Sequence, residues 1–430
     1  MRVFQKKTKK FKADIEYFFR NGSWVTIRYG VIVVSGLLIS VAFSRLVTKE
    51  LYGQYQFVIA FISFLSLLSL PGLNIVTLRE SIKGNDWPLV ASVKKSFCWS
   101  IFMSLIACGY ALHLWYGGKE SLAIAVLVAG VLAPFYYAPN NWYVFYEGKK
   151  DFFSSSIRIV FTQLILLFLL CGALFYGSGL ISLVAIYYTV PAVLAFYYFF
   201  EVRKIILSRG QALIQESLDV VLGMIITFQK YIAGLSENIV VFFVSFLFGF
   251  ELLAVYQVAN MVVLAIAGFV SALLSLYFPH IVQGGKVLRL KDIGYSLLAG
   301  VPSMVIFLIF LRFFFFPLYG EAYQESLLLG YALTGVVFLI PFKTYLLNFF
   351  TAHKKNKIII GANMLAIVVL SSSLYFTQSL GFHRSLAISL YAFQGTLIGG
   401  LLVLSYFDRV GKKDTMIYKK VLFYRIYAKQ

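Results

Sequence analysis

Six basic side chains lie within long apolar stretches of the sequence, where their charge could do chemistry. An ionised side chain in the middle of a lipid bilayer costs from about 3 to more than 10 kcal/mol, so each invites a functional interpretation. Lysine and arginine bind anions, and arginine makes bidentate contacts with phosphate. The pattern therefore favours an anionic ligand. The six cations are Arg28, Arg45, Arg158, Lys230, Arg312 and Lys343.

Lys230 and Glu237 are the most deeply placed of the ionisable residues. They are seven residues apart, so a helix would carry both on one face, where Gln229 and Asn238 could join them in lining an aqueous cavity. Glu237 is then a candidate site for a coupling proton or sodium ion. The alternative is a structural polar seam between helices. For the cations nearer the ends of their apolar stretches, snorkelling of the head group to the interface competes with a functional role.

A second cluster, within residues 134–146, combines aromatic and amide side chains and includes Asn140, Asn141 and Trp142. Aromatic rings stack on sugar faces and amides hydrogen-bond to hydroxyl groups, so the cluster suits the passage of a glycan. Tyrosine and tryptophan also gather at membrane interfaces without any ligand. Both interpretations remain open from the sequence.

The composition places these residues in a membrane protein. Of the 430 residues 60% are apolar and 13% are charged, and the mean hydropathy is +0.83. Soluble domains carry about 25% charged residues, so this chain would expose large apolar patches unless lipid surrounded it. The net charge of +20 suggests nucleic acid at first. A basic face in water is not available for that purpose, so no nucleic-acid partner is predicted.

A transmembrane helix needs about 20 apolar residues, and twelve stretches qualify, which predicts an all-α integral membrane protein. Together they leave no room for a soluble domain. The predicted spans are 24–46, 54–73, 96–116, 122–146, 154–176, 180–200, 220–248, 254–279, 296–317, 326–349, 358–377 and 385–407.

The distribution of basic residues predicts the orientation of these spans. With the N-terminus inside the cell, the cytoplasmic segments hold 29 of the 38 Lys and Arg, and the outer loops hold only Lys49, Lys119 and Arg384. The positive-inside rule therefore predicts that both termini are cytoplasmic, including the basic N-terminal segment 1–23 and the basic tail 408–430.

The two halves of the chain resemble each other. Residues 50–56 read ELYGQYQ and residues 251–257 read ELLAVYQ, at equivalent joints after the first span of each half. An even number of spans per half gives the halves one orientation, as in transporters with parallel repeats. We therefore predict a six-helix bundle over 24–200, a cytoplasmic linker over 201–219 and a second bundle over 220–407, an architecture suited to alternating access.

Several of these segments resemble a known family. Asn21-Gly22-Ser23-Trp24, Ser44-Arg45-Leu46, the stretch 49–55 (KELYGQY) and the stretch 317–323 (PLYGEAY) are similar to sequences of Wzx-type O-antigen and polysaccharide repeat-unit flippases. Those flippases belong to the multidrug/oligosaccharidyl-lipid/polysaccharide exporter superfamily. The resemblance implies a multi-pass protein of the bacterial inner membrane that moves undecaprenyl-diphosphate-linked oligosaccharide from the cytoplasmic to the periplasmic leaflet.

The expected partners are therefore the lipid bilayer, an anionic lipid-linked glycan as substrate, and polysaccharide polymerase and assembly proteins. No cofactor is expected, because the sequence has no P-loop and Cys98, Cys108 and Cys171 form neither a disulfide framework nor a metal motif. The alternatives are a multidrug or lipid-precursor exporter of the same superfamily and a membrane glycan polymerase. The short outer loops argue against the polymerase, so a transporter rather than an enzyme is expected.

Overall fold

The computed structural model describes residues 2–208, 218–283, 290–353 and 355–427; side chains are described within 23–208, 218–271, 291–353 and 355–404, apart from residues 233 and 237. Every regular element in these ranges is a helix, which confirms the predicted all-α class. The helices are α1 (Arg2–Leu46), α2 (Lys49–Leu65), α3 (Leu73–Ile82), α4 (Trp87–Tyr116), α5 (Glu120–Tyr137), α6 (Tyr143–Gly148), α7 (Phe152–Phe175), α8 (Leu180–Ser208), α9 (Val220–Leu247), α10 (Phe250–Gln283), α11 (Leu290–Leu298), α12 (Gly300–Ile309), α13 (Phe315–Tyr319), α14 (Gln324–Ala332), α15 (Thr334–Ala352), α16 (Asn356–Thr377) and α17 (Phe382–Tyr427).

Eleven helical stretches of the described chain are long and apolar enough to cross a membrane, and α9 makes a twelfth if its two parts count as one span. The parts, Val220–Ile232 and Gly234–Leu247, meet at a bend of 47°. The ninth predicted span is built from several pieces, since a short π-helix, Phe310–Phe314, separates α12 from α13. The count agrees with the twelve predicted spans. The cytoplasmic placement of the termini stays a prediction.

The first of two compact units comprises Met1–Ala272 and Phe307–Tyr331. Within it α5 lies between α4 and α8, α7 packs on α1 and α8, and α9 packs on α2 and α3. Large buried side chains such as Tyr52, Tyr188 and Phe43 fill the spaces between these helices. This unit takes in residues 220–272 and 307–331, which the sequence repeat assigns to the second bundle. The six-plus-six division therefore stays a prediction.

The second unit comprises Leu273–Ile306 and Ala332–Gln430. Its helices α16 and α17 pack together through small residues: a Cβ on Gly400 would lie 3.3 Å from the Cβ of Ala362. Hydroxyl groups join the same two helices, with Ser389 Oγ donating to Ser373 Oγ over 2.9 Å. Close packing of small residues and hydrogen bonds between hydroxyls are the contacts that hold helices together in lipid, where burial of apolar surface contributes little.

Gly53 lets two helices of the first unit approach each other closely. A Cβ at this position would overlap the backbone carbonyl of Phe250 at the start of α10. A backbone group cannot move aside as a flexible side chain can, so only glycine fits. The crossing fixes α2, which lines the two concave surfaces described below.

Candidate functional site

A cavity of about 520 Å³ opens inside the first unit, and it has the size of a ligand site. Helices α1, α2, α7 and α8 form most of its wall, and α5, α10 and the turn after α5 complete it. Its lining residues are Ile32, Gly36, Ile39, Ser40, Tyr52, Tyr55, Gln56, Ile59, Tyr136, Asn140, Trp142, Ile159, Thr162, Gln163, Leu166, Tyr187, Pro191, Ala195 and Met261.

Each of the four main helices gives one face to this cavity. In α2 the lining residues are Tyr52, Tyr55, Gln56 and Ile59, and the lining residues of α7 repeat the same spacing from Ile159 onward. Residues at i, i+3, i+4 and i+7 lie on one side of a helix. The polar residues of these spans are therefore gathered by helical periodicity onto inward-facing stripes.

The described lining combines polar and aromatic residues with aliphatic ones, and it carries no ionised side chain. Hydroxyl groups come from tyrosine, serine and threonine, and amides come from Gln56, Asn140 and Gln163. The ring of Tyr187 lies 6.1 Å from that of Tyr55 in an edge-on arrangement and 6.2 Å from that of Tyr136 in a stacked one. Such a surface can exchange hydrogen bonds with hydroxyl groups and cover sugar faces with aromatic rings.

A short hydrogen-bonded chain holds one end of the cavity. The Ser40 and Tyr52 hydroxyls lie 3.1 Å apart, and the Tyr319 hydroxyl donates to Ser40 Oγ over 3.4 Å. At the opposite end Trp142 is buried, with its ring 4.8 Å from that of Tyr198. The buried ends position the polar wall between them.

Arg28 and Arg158, two of the six predicted cavity cations, form ion pairs. Arg28 Nη1 lies 2.8 Å from Glu147 Oε1, and Arg158 Nη2 lies 2.7 Å from Glu201 Oε1. The guanidinium of Arg158 also lies over the Tyr146 ring, 4.6 Å from its centre. Both charges are balanced by carboxylates, which explains how they are tolerated near the ends of their spans.

Arg45 lies at the C-terminal end of α1, where it binds backbone carbonyl groups of α13. Its Nε donates to the carbonyl of Leu318 over 2.8 Å, and its Nη2 donates to that of Pro317 over 2.7 Å and that of Phe316 over 3.3 Å. These are terminal carbonyls of α13, and a cation at a helix C-terminus is favourable. Two segments of the family resemblance, one around Arg45 and one around Pro317, thus lie in direct contact.

The other predicted charged residues belong to three different helical segments. Lys230 is exposed on α9, Arg312 is exposed on the π-helix, and Lys343 is half-buried on α15 in the second unit. The bend in α9 separates the segment of Lys230 from that of residue 237. The side chain of Glu237 lies outside the described residues. The roles of these four residues stay predictions.

Of the predicted aromatic and amide cluster, Asn140 and Trp142 line the cavity and Asn141 is buried beside them. The sequence analysis did not identify the other polar lining residues, notably Gln56, Thr162 and Gln163. Uncharged residues within a span stand out less than charged ones. A usable signal was present: Gln163 interrupts the apolar run of α7, and Gln56 falls one helical turn after Tyr52 in the repeated motif.

Residues 18–284 match the protein family described as polysaccharide biosynthesis protein. The chain belongs to this family. No curated protein sequence matches the chain. The match covers more than half of the chain and includes most of the cavity helices, so membership in the polysaccharide biosynthesis family applies to the part that contains the candidate site.

Solved structures of multidrug transporters share the fold of this family member. An inward-facing multidrug resistance MATE family transporter of the MOP superfamily matches with a TM-score of 0.68 at 15% identity, covering 89% of this chain and 96% of that chain. An outward-facing multidrug resistance MATE family transporter of the MOP superfamily matches with a TM-score of 0.61 at 15% identity, covering 91% of this chain and 96% of that chain. A MATE structure in complex with MaL6 gives 0.66 at 14% identity, covering 92% and 97%. At these identities the likeness establishes the fold alone.

Proposed function

We propose that the protein translocates undecaprenyl-diphosphate-linked oligosaccharide repeat units, precursors of O-antigen, capsule or exopolysaccharide, from the cytoplasmic to the periplasmic leaflet of a bacterial inner membrane. The cycle is alternating access, and the substrate glycan occupies the cavity of the first unit. Membership in the polysaccharide biosynthesis family and a transporter fold support a membrane exporter or flippase. The glycan as cargo is inferred from the cavity.

The composition of the cavity wall carries this proposal. A sugar hydroxyl moved into hydrocarbon without a partner costs roughly 4 to 8 kcal/mol, so a glycan crosses only where polar groups replace water. Tyrosine hydroxyls and the amides of Gln56, Asn140 and Gln163 supply such groups along the wall. The lipid tail can remain in the bilayer while the head group passes.

The cavity differs from the cationic one expected from the sequence. Arg28 pairs with Glu147 and Arg158 pairs with Glu201, so their charges are already balanced within the protein. The proposal therefore treats the wall that binds the glycan and the group that binds the anionic diphosphate as two different parts of the protein. Arg158 is linked to the cavity indirectly: its guanidinium lies 5.8 Å from the centre of the Tyr198 ring, and that ring lies 4.8 Å from the ring of the lining residue Trp142. We assign it a positioning role.

The membrane potential is the proposed source of energy. An anionic head group moving outward from a negative interior gains about 2.3 kcal/mol per charge per 100 mV. Glu237 as a proton or sodium site is the weaker alternative. A polysaccharide polymerase and assembly proteins are the proposed partners that receive the translocated unit.

Export of drugs is the second candidate function, because solved structures with this fold include multidrug resistance transporters. Cationic drugs are bound by carboxylates, and the described cavity lining contains none. The glycan therefore fits this wall better.

The test is translocation of a labelled lipid-linked oligosaccharide in proteoliposomes, comparing Gln56→Leu with Gln54→Leu. Both glutamines lie on α2, but only Gln56 lines the cavity. Leaving a glycan hydroxyl unpaired costs about 1 to 3 kcal/mol, which slows transport by roughly 5-fold to 150-fold in Gln56→Leu. Gln54→Leu should match the wild type. Equal rates in both variants, or no translocation by the wild type, would refute the proposal.

A further inference from the structure

A second concave surface of the first unit is apolar, and the proposed glycan cavity does not include it. This aromatic groove has a volume of about 600 Å³. On one side α2 contributes Phe57, Phe61 and Phe64, at the i, i+4 and i+7 positions of one helical face. The groove therefore lies along the side of α2 that faces away from the glycan cavity.

The opposite wall of the groove comes from α9, through Phe242, Phe243 and Phe246. The rings are mutually packed, with the Phe242 ring 5.9 Å from that of Phe57 and 5.4 Å from that of Phe64. Phe246 is 88% exposed, so the groove is open to its surroundings there. From Phe57 to Phe64 the groove follows α2 for roughly 10 Å.

One cation stands at the mouth of this groove. Lys119 lies in the turn between α4 and α5, at a helix end where a lipid head group would be, and its Nζ is 5.7 Å from the centre of the Phe250 ring. Lys119 is exposed, and among the described residues that line the groove it is the one with an ionised side chain. An apolar slot that ends at a lysine is complementary to an isoprenoid or acyl chain that ends in a phosphate.

We propose that the aromatic groove binds the carrier lipid itself: the isoprenoid units next to the diphosphate lie against the phenylalanines, and the diphosphate binds Lys119. This inference rests on the proposed function, because it takes undecaprenyl diphosphate as the carrier. It assigns the two ends of the substrate to the two faces of α2, the glycan to the cavity and the lipid to the groove. Lys119 was predicted to lie at the outer end of the spans, so the site would hold the carrier after translocation.

The probe is undecaprenyl diphosphate without a glycan, bound to the purified full-length protein and quantified by native mass spectrometry. Lys119→Gln should weaken binding about tenfold, and the control Lys49→Gln, at the same predicted outer end, should not. Phe246→Ala should weaken binding by about threefold to tenfold. Phe175→Ala is its control, because Phe175 is 77% exposed and does not line the groove.

Two comparison ligands identify the occupant. Inorganic diphosphate, which has no tail, should bind far more weakly than the probe. Phosphatidylglycerol should bind more weakly than the probe and lose less affinity than the probe does in Phe246→Ala. Equal binding of phosphatidylglycerol with the same sensitivity to both variants would overturn the proposal in favour of a general anionic-lipid surface, and unchanged probe binding in both variants would overturn it outright.

Failure here is distinguishable from failure of the proposed function. If the groove variants leave probe binding unchanged while glycan-lipid translocation proceeds in proteoliposomes, only the groove assignment falls. If the probe binds as described but the wild type translocates no glycan lipid, only the proposed function falls.

Discussion

The two faces of α2 are built from different side chains although they belong to one short helix. The cavity face carries Tyr52, Tyr55 and Gln56 beside one aliphatic residue, Ile59, whereas the groove face carries only phenylalanine among its described lining residues. An amphiphilic substrate needs both kinds of surface, and a wall one helix thick places them side by side. The difference indicates that polarity in this protein is partitioned by helical face rather than along the length of a span.

A substitution at Gly53 should have the largest effect, because the cavity face and the groove face both depend on the position of α2. Gly53→Ala should lower the free energy of unfolding by about 1 to 3 kcal/mol or more, since its Cβ would overlap the Phe250 carbonyl. We expect translocation and undecaprenyl diphosphate binding to fall together. Thermal unfolding in detergent and both functional assays measure this effect.

The matched control is Gly109→Ala in α4, where a Cβ would meet nothing within 4 Å. Replacing a helical glycine by alanine at an open site stabilises by roughly 0.5 to 1 kcal/mol. If Gly53→Ala behaved like Gly109→Ala, the close crossing of α2 and α10 would be wrong.

Arg158 tests the cavity face separately, because its guanidinium lies over the Tyr198 ring, which packs on the lining residue Trp142. Arg158→Met removes the partner of Glu201 and should slow glycan-lipid translocation about fivefold, a cost of roughly 1 kcal/mol for a partly exposed pair. Undecaprenyl diphosphate binding should not change. The double variant Arg158→Met/Glu201→Gln should recover most of the rate.

No recovery in the double variant would mean that Arg158 meets the substrate directly rather than through its pairing with Glu201. That result would favour the original prediction of a cationic cavity. Weakened binding of the carrier lipid would contradict the separation of the two faces.

Replacing Arg45 should have the smallest effect, because Arg45 lines neither the cavity nor the groove. Arg45→Gln loses hydrogen bonds to the α13 carbonyls, so the free energy of unfolding should fall by about 1 kcal/mol, with a thermal midpoint lower by a few degrees. Arg384→Gln, an exposed arginine at the same predicted side of the membrane, should leave the midpoint unchanged. A loss of transport beyond the loss of folded protein would restore the predicted binding role of Arg45.

The sequence predicted the spans well, because twenty-residue apolar runs have few alternative structures. It did not predict the ion pairs of Arg28 and Arg158, because the two carboxylate partners lay just beyond the predicted span ends. Glu147 follows the predicted end of span 4 by one residue, and Glu201 follows span 6 by one residue, yet α6 and α8 continue past both. A small error in span boundaries thus left Arg28 and Arg158 without their carboxylates, and their role in binding the substrate stays a prediction.

The polar wall of the cavity was hidden for a different reason. Tyrosine, glutamine and threonine occur in many spans, and only the packing of several helices decides which of them meet. Gln56 and Gln163 are on α2 and α7, more than a hundred residues apart, and no local pattern links them. The family resemblance did locate a real contact, since its segments around Arg45 and Pro317 touch, but that contact lies outside the cavity.

The most direct test of the glycan cavity is a ratio of two translocation rates in Gln56→Leu/Gln163→Leu proteoliposomes. One rate is that of undecaprenyl-diphosphate-linked oligosaccharide and the other is that of the same lipid without sugar. If the cavity binds the glycan, the double variant should lose at least tenfold in the first rate while the second changes by less than about twofold. Equal losses for both lipids, or no loss for the glycan lipid, would contradict the assignment of the cavity to the sugar.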